Sequence, residues 1–312
     1  AASMLTVAAP FAQAQNSGDA VLLDMQKAFR ARNQTALTQL LPQASGHPLQ
    51  PWAAYWELKN RLETSAPDEI QGFLTRYAGT YQEDRLRNDW LLMLGKQRDW
   101  STFSRVYPQF RMRDDKSVTC YALLADAVQG RGAPNVGQQV RDLWMAQKDA
   151  DDGCTTAAGQ MYASKLISAE DVWRRARVAT ENNRQKAARD AVAIVAPDAA
   201  DQVAQVFASP AKYLAGQSKS RGRERKELAL LALIRMAASD PDGAAGQIEG
   251  GWGAQLSAEE RNWAWAVAGK QAAFKLSPDA NTYFGKVRRN EDLSDELLGW
   301  KVRAALRAGD WK

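Results

Sequence analysis

Helix-start signals recur along this chain at short intervals, and nothing between them alternates like a strand. Ser209-Pro210, Asp240-Pro241 and Ser277-Pro278 each place a capping side chain before a proline. Proline suits the first turn of a helix because the N–H it lacks has no partner there anyway. Ser257, with Glu260 three residues on, reads as a capping box. β-branched residues form no alternating runs, whereas Ala, Leu, Arg and Gln abound. Val118, Tyr121, Ala125 and Val128 recur at helical spacing as one apolar stripe. Leu228 to Ile234 is apolar all round and reads as a helix buried on most sides. The predicted helices are 18–31, 34–41, 49–63, 67–77, 83–97, 100–107, 116–129, 135–147, 155–165, 169–180, 183–195, 198–207, 210–216, 222–238, 241–249, 257–274, 279–287 and 292–308. Many short helices joined by short links predict an all-α right-handed superhelix (α-solenoid) of stacked short helical hairpins. Each hairpin then buries its apolar face against its neighbours.

A degenerate repeat supports this. Arg98-Asp99-Trp100 closes one helix and opens the next, and Gly309-Asp310-Trp311 follows the helix 292–308 in the same way. A helix start at the last residues implies a chain truncated within a hairpin, so residues 15–312 are expected to form one superhelical domain cut short at its C-terminal end.

Composition narrows the classes. With 312 residues, 45% of them apolar and 25% charged, the chain can fill a core and is not disordered. No apolar run reaches the roughly 20 residues that span a bilayer. One His and two Cys cannot supply the about four ligands of a structural zinc site, and no metal or cofactor is expected. The net charge of +5 favours anionic partners in general without selecting nucleic acid.

Residues 1–14 are apolar and uncharged and end in Ala12-x-Ala14, the pattern of the back half of a secretory signal peptide cleaved before Gln15. Export to an oxidising compartment favours a disulfide between Cys120 and Cys154, and two buried free thiols are the alternative. Closing a loop of this length is worth roughly 3–4 kcal/mol in the chain-entropy treatment. A catalytic cysteine is not expected. The single histidine, His47, lies in a Gly46-His47-Pro48 turn, and nothing pairs it with a thiol.

The stretch His47-Pro48-Leu49-Gln50-Pro51-Trp52-Ala53-Ala54-Tyr55-Trp56-Glu57-Leu58 resembles the early helix of the soluble lytic transglycosylases of Gram-negative bacteria. The Arg98-Asp99-Trp100 turn is similar as well. So are Cys120 and Cys154 with Leu143-Trp144 between them, and the basic helix Trp173-Arg174-Arg175-Ala176-Arg177 after the second Cys. The resemblance runs through most of residues 18–312. It implies a U-shaped or ring-like superhelix followed by a linker and a lysozyme-like catalytic domain, with this chain covering only the superhelix. It implies periplasmic location and peptidoglycan glycan strands as partners.

The family's catalytic domain carries Glu-Ser, then Asn-Pro, then Gly-Ala-x-Gly-Leu-Met-Gln. This sequence has no Glu-Ser pair. Gly243-Ala244-Ala245-Gly246-Gln247-Ile248 mimics part of the last motif and reads as a chance match in a small-residue helix. The absence matters because cleaving the bond between N-acetylmuramic acid and N-acetylglucosamine needs an acid to protonate the leaving oxygen. The resemblance implies one Glu acting as acid and base while the muramic 6-hydroxyl closes a 1,6-anhydro ring. Glu57, Glu224, Glu227, Glu259 and Glu260 read instead as members of solvated helix faces, and no residue is assigned a catalytic role.

Three other patterns stand out. Asp149, Asp151 and Asp152 before Gly153 miss the calcium-loop spacing and read as a polar helix-exit loop with Gly153 as its turn. Arg174, Arg175, Arg177, Arg184, Lys186 and Arg189 form one basic stretch, and Lys219, Arg221, Arg223, Arg225 and Lys226 another. Interleaved carboxylates and export argue against nucleic acid. A basic surface facing anionic peptidoglycan is the alternative to plain solvated faces. Of the 11 Trp, residues 52, 56, 90, 100, 144, 173, 263 and 265 sit in or at the start of helices and are expected to wedge between hairpins. The function that follows is a non-catalytic superhelical scaffold of a lytic transglycosylase, inactive alone. The competing reading is a stand-alone periplasmic helical-repeat protein that binds other proteins.

Overall fold

The computed structural model describes the backbone of residues 11–216 and 222–310, and side chains within these from residue 18 onward. Residues 1–10 of the expected signal remnant, together with Lys219, Arg221 and Trp311, lie outside the described residues. Helices make up the fold, and no strand occurs among the described residues. The chain forms two compact units, Ala1–Ala125 and Asp126–Lys312.

The first unit holds α1 (Phe11–Arg30), α2 (Gln34–Leu40), α3 (Gln50–Asn60), α4 (Pro67–Arg76), α5 (Tyr81–Gln97), α6 (Trp100–Val106) and α7 (Lys116–Val128), at whose end the boundary falls. Leu22, Met25, Leu37 and Ala53 join α1, α2 and α3. A larger core gathers Ile70, Leu86, Trp90, Leu91, Phe103 and Tyr121 from α4 to α7. Gly95 of α5 permits this packing, because a Cβ there would stand 2.3 Å from the Tyr121 ring.

The second unit holds α8 (Val136–Met145), α9 (Asp152–Ala163), α10 (Ala169–Glu181), α11 (Gln185–Val195), α12 (Gln202–Ala208), α13 (Pro210–Gly216), α14 (Arg223–Ser239), α15 (Pro241–Gln247), α16 (Gly253–Gln255), α17 (Ala258–Phe274), α18 (Ala280–Gly285) and α19 (Asp295–Ala308). Leu228 to Ile234 of α14 are buried on every side, as their composition predicts. So are Trp263 to Ala268 of α17.

Seven connections among the described residues share one device. At Arg32, Arg98, Gly130, Lys165, Asn183, Leu276 and Gly309 the backbone turns left-handed. Each of these N–H groups donates back to the carbonyl three residues earlier, and the next N–H donates to the carbonyl five earlier. For Arg98 the pair is Gly95 O and Leu94 O; for Gly309 it is Leu306 O and Ala305 O. This double bond satisfies two orphan carbonyls and reverses the chain at once. The turn at Arg98 is then sealed by Asp99, whose side chain accepts from the Thr102 N–H of α6.

Several expectations change. α1 begins at Phe11 rather than at residue 18, since no breaker stands between Pro10 and Gly18. Pro278 does not open a helix: Ser277 Oγ accepts from the Asp279 N–H in a preceding turn, and α18 starts at Ala280. Val128 is exposed at the frayed end of its stripe, while Val118, Tyr121 and Ala125 are buried. Gly153 is no turn but lies buried inside α9, and Asp151 caps that helix by accepting from the Cys154 N–H. The aspartates therefore mark a helix entry and not an exit. Of the tryptophans, Trp90, Trp144, Trp173, Trp263 and Trp265 are buried between helices.

Candidate functional site

The basic stretch of α10 does not form a solvated face. Arg175 and Arg177 are buried, against the expectation for both. Arg175 Nη1 donates to Gln147 O at 2.6 Å, and its guanidinium lies 5.8 Å over the Trp144 ring. It thereby satisfies a carbonyl just beyond the end of α8. Burial pushes the Arg175 pKa down from its ordinary value.

Arg177 is the centre of a three-helix junction. It donates from Nη2 to Glu227 Oε1 at 2.8 Å and from Nε to Glu227 Oε2 at 3.1 Å, a forked pairing. Its Nη1 reaches Glu170 Oε1 at 2.9 Å, and Glu260 Oε1 stands 3.4 Å from Nη2. Trp263 lies beneath the guanidinium at 5.7 Å. The elements that bring these groups together are α10, α14 and α17. Glu260 is held in place by its own capping box, accepting from the Ser257 N–H at 2.7 Å. A second box, Ser168 with Asp171, opens α10, with Asp in the place that Glu takes at Ser257.

Glu227 and Glu260 are thus buried rather than solvated, and so is Glu57. Glu57 accepts from Gln34 Nε2 at 2.8 Å, Thr38 Oγ1 at 3.1 Å and Arg61 Nε at 2.8 Å. Glu224 is exposed as expected, and Glu259 is half-buried against Arg174. Burial raises the Glu227 carboxyl to about 7, against the pull of Arg177. A carboxyl near that value suits a general acid. Glu227, however, is fully buried and held by the Arg177 fork, so it offers no oxygen to a substrate.

In front of this junction lies a cleft of about 640 Å³ lined by Glu170, Arg223, Arg225, Lys226, Ser257 and Glu260. Arg223 Nη2 donates to Glu170 Oε2 at 2.7 Å. Arg225 lies 4.8 Å over Trp252 and donates to Gln255 Oε1 at 2.9 Å. Lys226 completes the cationic wall. The cleft joins three cations to two carboxylates, a setting for a polar or anionic ligand.

The other predicted cations are mostly neutralised. Arg184 pairs with Asp149 at 2.7 Å, Lys186 with Asp190 at 2.6 Å and Arg189 with Asp201 at 2.8 Å. Cys120 and Cys154 are both buried and both disulfide-bonded, and neither is a free thiol. His47 Nδ1 accepts from the Leu49 N–H at 3.0 Å, so Nε2 carries the proton and donates to Asp19 Oδ1 at 2.9 Å. Among the described residues no group of His, Cys, Asp and Glu could hold a metal ion. No helix among them is long and apolar enough to cross a membrane.

No protein-family model and no curated protein matches this chain. Among solved structures it is similar to an inactive mutant of the lytic transglycosylase Slt from Pseudomonas aeruginosa, at 23% identity and a TM-score of 0.53, over 93% of this chain and 47% of that one. It is similar also to the 70 kDa soluble lytic transglycosylase from Escherichia coli, at 16% identity and a TM-score of 0.51, over 94% of this chain and 45% of that one. A complex of the 70 kDa soluble lytic transglycosylase with bulgecin A matches at 15% identity and a TM-score of 0.50. The chain therefore spans about half the length of the solved structures it matches. The likeness shows that its fold is that of the helical-hairpin solenoid in these proteins.

Proposed function

We propose that this chain is the non-catalytic helical scaffold of a peptidoglycan lytic transglycosylase. The parent protein cleaves the bond between N-acetylmuramic acid and N-acetylglucosamine to give 1,6-anhydro-muropeptides, with the chemistry in a separate lysozyme-like domain. The observation that carries the reading is the fold likeness to lytic transglycosylases over 93% of the chain. The ordered motifs from His47 to Arg177 support it. So does the absence of a Glu-Ser pair, which removes the acid the reaction needs. Export to the periplasm and pairing of Cys120 with Cys154 belong to the same proposal. The cleft of Arg223, Arg225 and Lys226 is its candidate contact with the carboxylates of peptidoglycan.

Sedimentation with insoluble sacculi tests the scaffold. The purified chain is expected to co-sediment at low salt and to release no soluble muropeptides. Lys226→Glu, at a half-exposed position, is expected to lower the bound fraction. Failure to co-sediment above a buffer control refutes peptidoglycan binding. Release of 1,6-anhydro products refutes the non-catalytic assignment. The disulfide has its own test: Cys120→Ser is expected to lower Tm in oxidising buffer, by the equivalent of roughly 3–4 kcal/mol, and to leave it unchanged under strong reductant. Equal Tm values in oxidising buffer refute the pairing.

A second reading, a scaffold that binds other proteins without an enzyme attached, draws on one feature. Phe274, Leu276, Val302 and Leu306 are exposed on α17 and α19 and in the turn after α17. Under that reading the chain stays in the supernatant when the sacculi are sedimented.

A further inference from the structure

Five charged side chains meet behind the cationic cleft of the second unit, and their charges do not balance. Arg177 and Arg223 face Glu170, Glu227 and Glu260, three carboxylates to two guanidiniums. Glu170 joins the two arginines, accepting from Arg177 on one oxygen and from Arg223 on the other. Glu227 stands between them, forked onto Arg177 and 3.8 Å from Arg223 Nε. Glu227 and Arg177 are fully buried, whereas Arg223 is exposed and lines the cleft. An excess of negative charge inside a protein is relieved by taking up a proton, and burial favours the neutral form of the carboxyl furthest from water. In this cluster that carboxyl is Glu227, which burial raises to about 7.

Glu227 is faced by Arg177 and Glu170 from α10, by Glu260 from α17 and by Arg223 one turn back on its own helix. α13 brings Tyr213, whose pKa burial pushes up to about 12, so that it stays neutral. α12 carries no titratable group, and Asp242 of α15 is exposed and accepts from Tyr283. In front of the cluster, Arg225 and Lys226 complete the wall of the cleft. An anion in the cleft therefore meets the field of the wall and of the cluster together. With all three carboxylates ionised the cluster carries one net negative charge and opposes the wall; with one of them protonated it carries none. Charge acts across the intervening atoms, so the anion has no need to reach Glu227. We infer that anion binding in this cleft is coupled to proton uptake by the cluster behind it, so that the cleft holds anions more tightly as pH falls through neutrality. By linkage, a bound anion tightens the hold of the cluster on its proton by the same factor. This inference rests on the reading of the cleft as an anion contact.

The test is a calorimetric titration of the full chain with sulfate, whose double charge is constant over this range, at fixed ionic strength. Its Kd is expected to be about fivefold lower at about pH 6 than at about pH 8. Near neutral pH, binding is expected to take up a fraction of a proton, read from the heats in two buffers of different ionisation enthalpy. Glu227→Gln is expected to keep the tighter Kd at both pH values and to take up no proton. Lys226→Glu is expected to raise Kd at both. Histidine ordinarily titrates in this window, so His47→Asn, which removes the single one, is the control and is expected to leave the profile unchanged. In the wild type, a Kd independent of pH and an absence of proton uptake overturn the coupling and leave the cleft standing as an anion contact; this readout holds even where Glu227→Gln fails to fold. No saturable binding at either pH overturns both, while sedimentation with sacculi tests the scaffold separately. A pH dependence that survives in Glu227→Gln, or is lost in His47→Asn, overturns the assignment of the proton to the cluster. An unchanged Kd in Lys226→Glu overturns the cleft as the place of binding.

Discussion

Each unit buries a cluster of charge, and the two clusters are built from different distances along the chain. In the first unit Arg87 pairs with Glu83 and Asp84 of its own helix, and Asp84 also accepts from the Arg111 and Met112 N–H groups at 3.1 and 2.8 Å. This cluster ties the segment before α7 to a helix that is already formed. In the second unit Arg177 reaches Glu227 and Glu260, 50 and 83 residues away, and so holds three helices to one another. The first cluster completes local structure. The second is a condition for tertiary structure. Buried ion pairs of either kind stabilise little compared with apolar replacements, yet removing one partner leaves an uncompensated charge inside.

The largest test of this contrast removes the two arginines. Arg177→Ala strands Glu227 and Glu260 in the core and is expected to lose about 3–5 kcal/mol in urea unfolding. Arg87→Ala leaves Glu83 with Arg111, at 2.8 Å, and Asp84 with its backbone donors, and should lose clearly less. Equal losses would dissolve the distinction between the clusters. Next in size are two glycines. A Cβ on Gly137 would meet the backbone oxygen of Leu166 at 2.4 Å, whereas one on Gly95 would meet the Tyr121 ring at 2.3 Å. A ring can shift and a carbonyl in a turn cannot. Gly137→Ala is therefore expected near the upper end of the roughly 1–3 kcal/mol seen for overpacking, with Gly95→Ala below it. The reverse order would show that the Leu166 turn yields.

The third test uses pH. Glu227 holds its proton more tightly in the fold, at about 7, than at its ordinary value of 4.5. Its contribution to stability is complete below 4.5 and is lost as pH rises through about 7. The Tm of the wild type minus that of Glu227→Gln should fall across this window, and a flat difference refutes the shift. The smallest effect is expected at the turns. Lys165 and Arg32 adopt φ of 61° and 53°, a region that disfavours residues with a Cβ by roughly 1–2 kcal/mol. Lys165→Gly and Arg32→Gly should each gain at most about 1 kcal/mol, net of the extra freedom of unfolded glycine. A loss of stability would mean that the long side chains contribute more than the turn geometry.

What could be read from residue order follows the same division between near and far. Helix boundaries were legible because their signals are local: Asp99, Asp240 and Ser257 cap the helices that their positions announce. The buried run at Leu228 to Ile234 was legible because it lacks any polar face. Glu57, Glu227, Glu260, Arg175 and Arg177 were misread as solvated because their partners lie elsewhere in sequence. The i,i+4 pairs were within reach, since Lys186 with Asp190 sits on one helix face. The Ser168 box is just as local, with Asp171 three residues on. The acidic side of the cleft, Glu170 and Glu260, had no sequence signal, because it comes from helices other than α14.

The left-handed turns carry a consequence for how far the sequence can drift. Their bonds run from backbone to backbone, and glycine fills the position only at Gly130 and Gly309, while Arg, Lys, Asn and Leu serve at the others. A joint fastened by the main chain draws none of its bonds from the side chain that stands there, and the roughly 1–2 kcal/mol by which a Cβ is disfavoured is all that the position asks. Such joints can change residue by residue while the stacking of hairpins is kept. A likeness plain in three dimensions can accordingly leave so faint an alphabet behind it, here 15 to 23% identity.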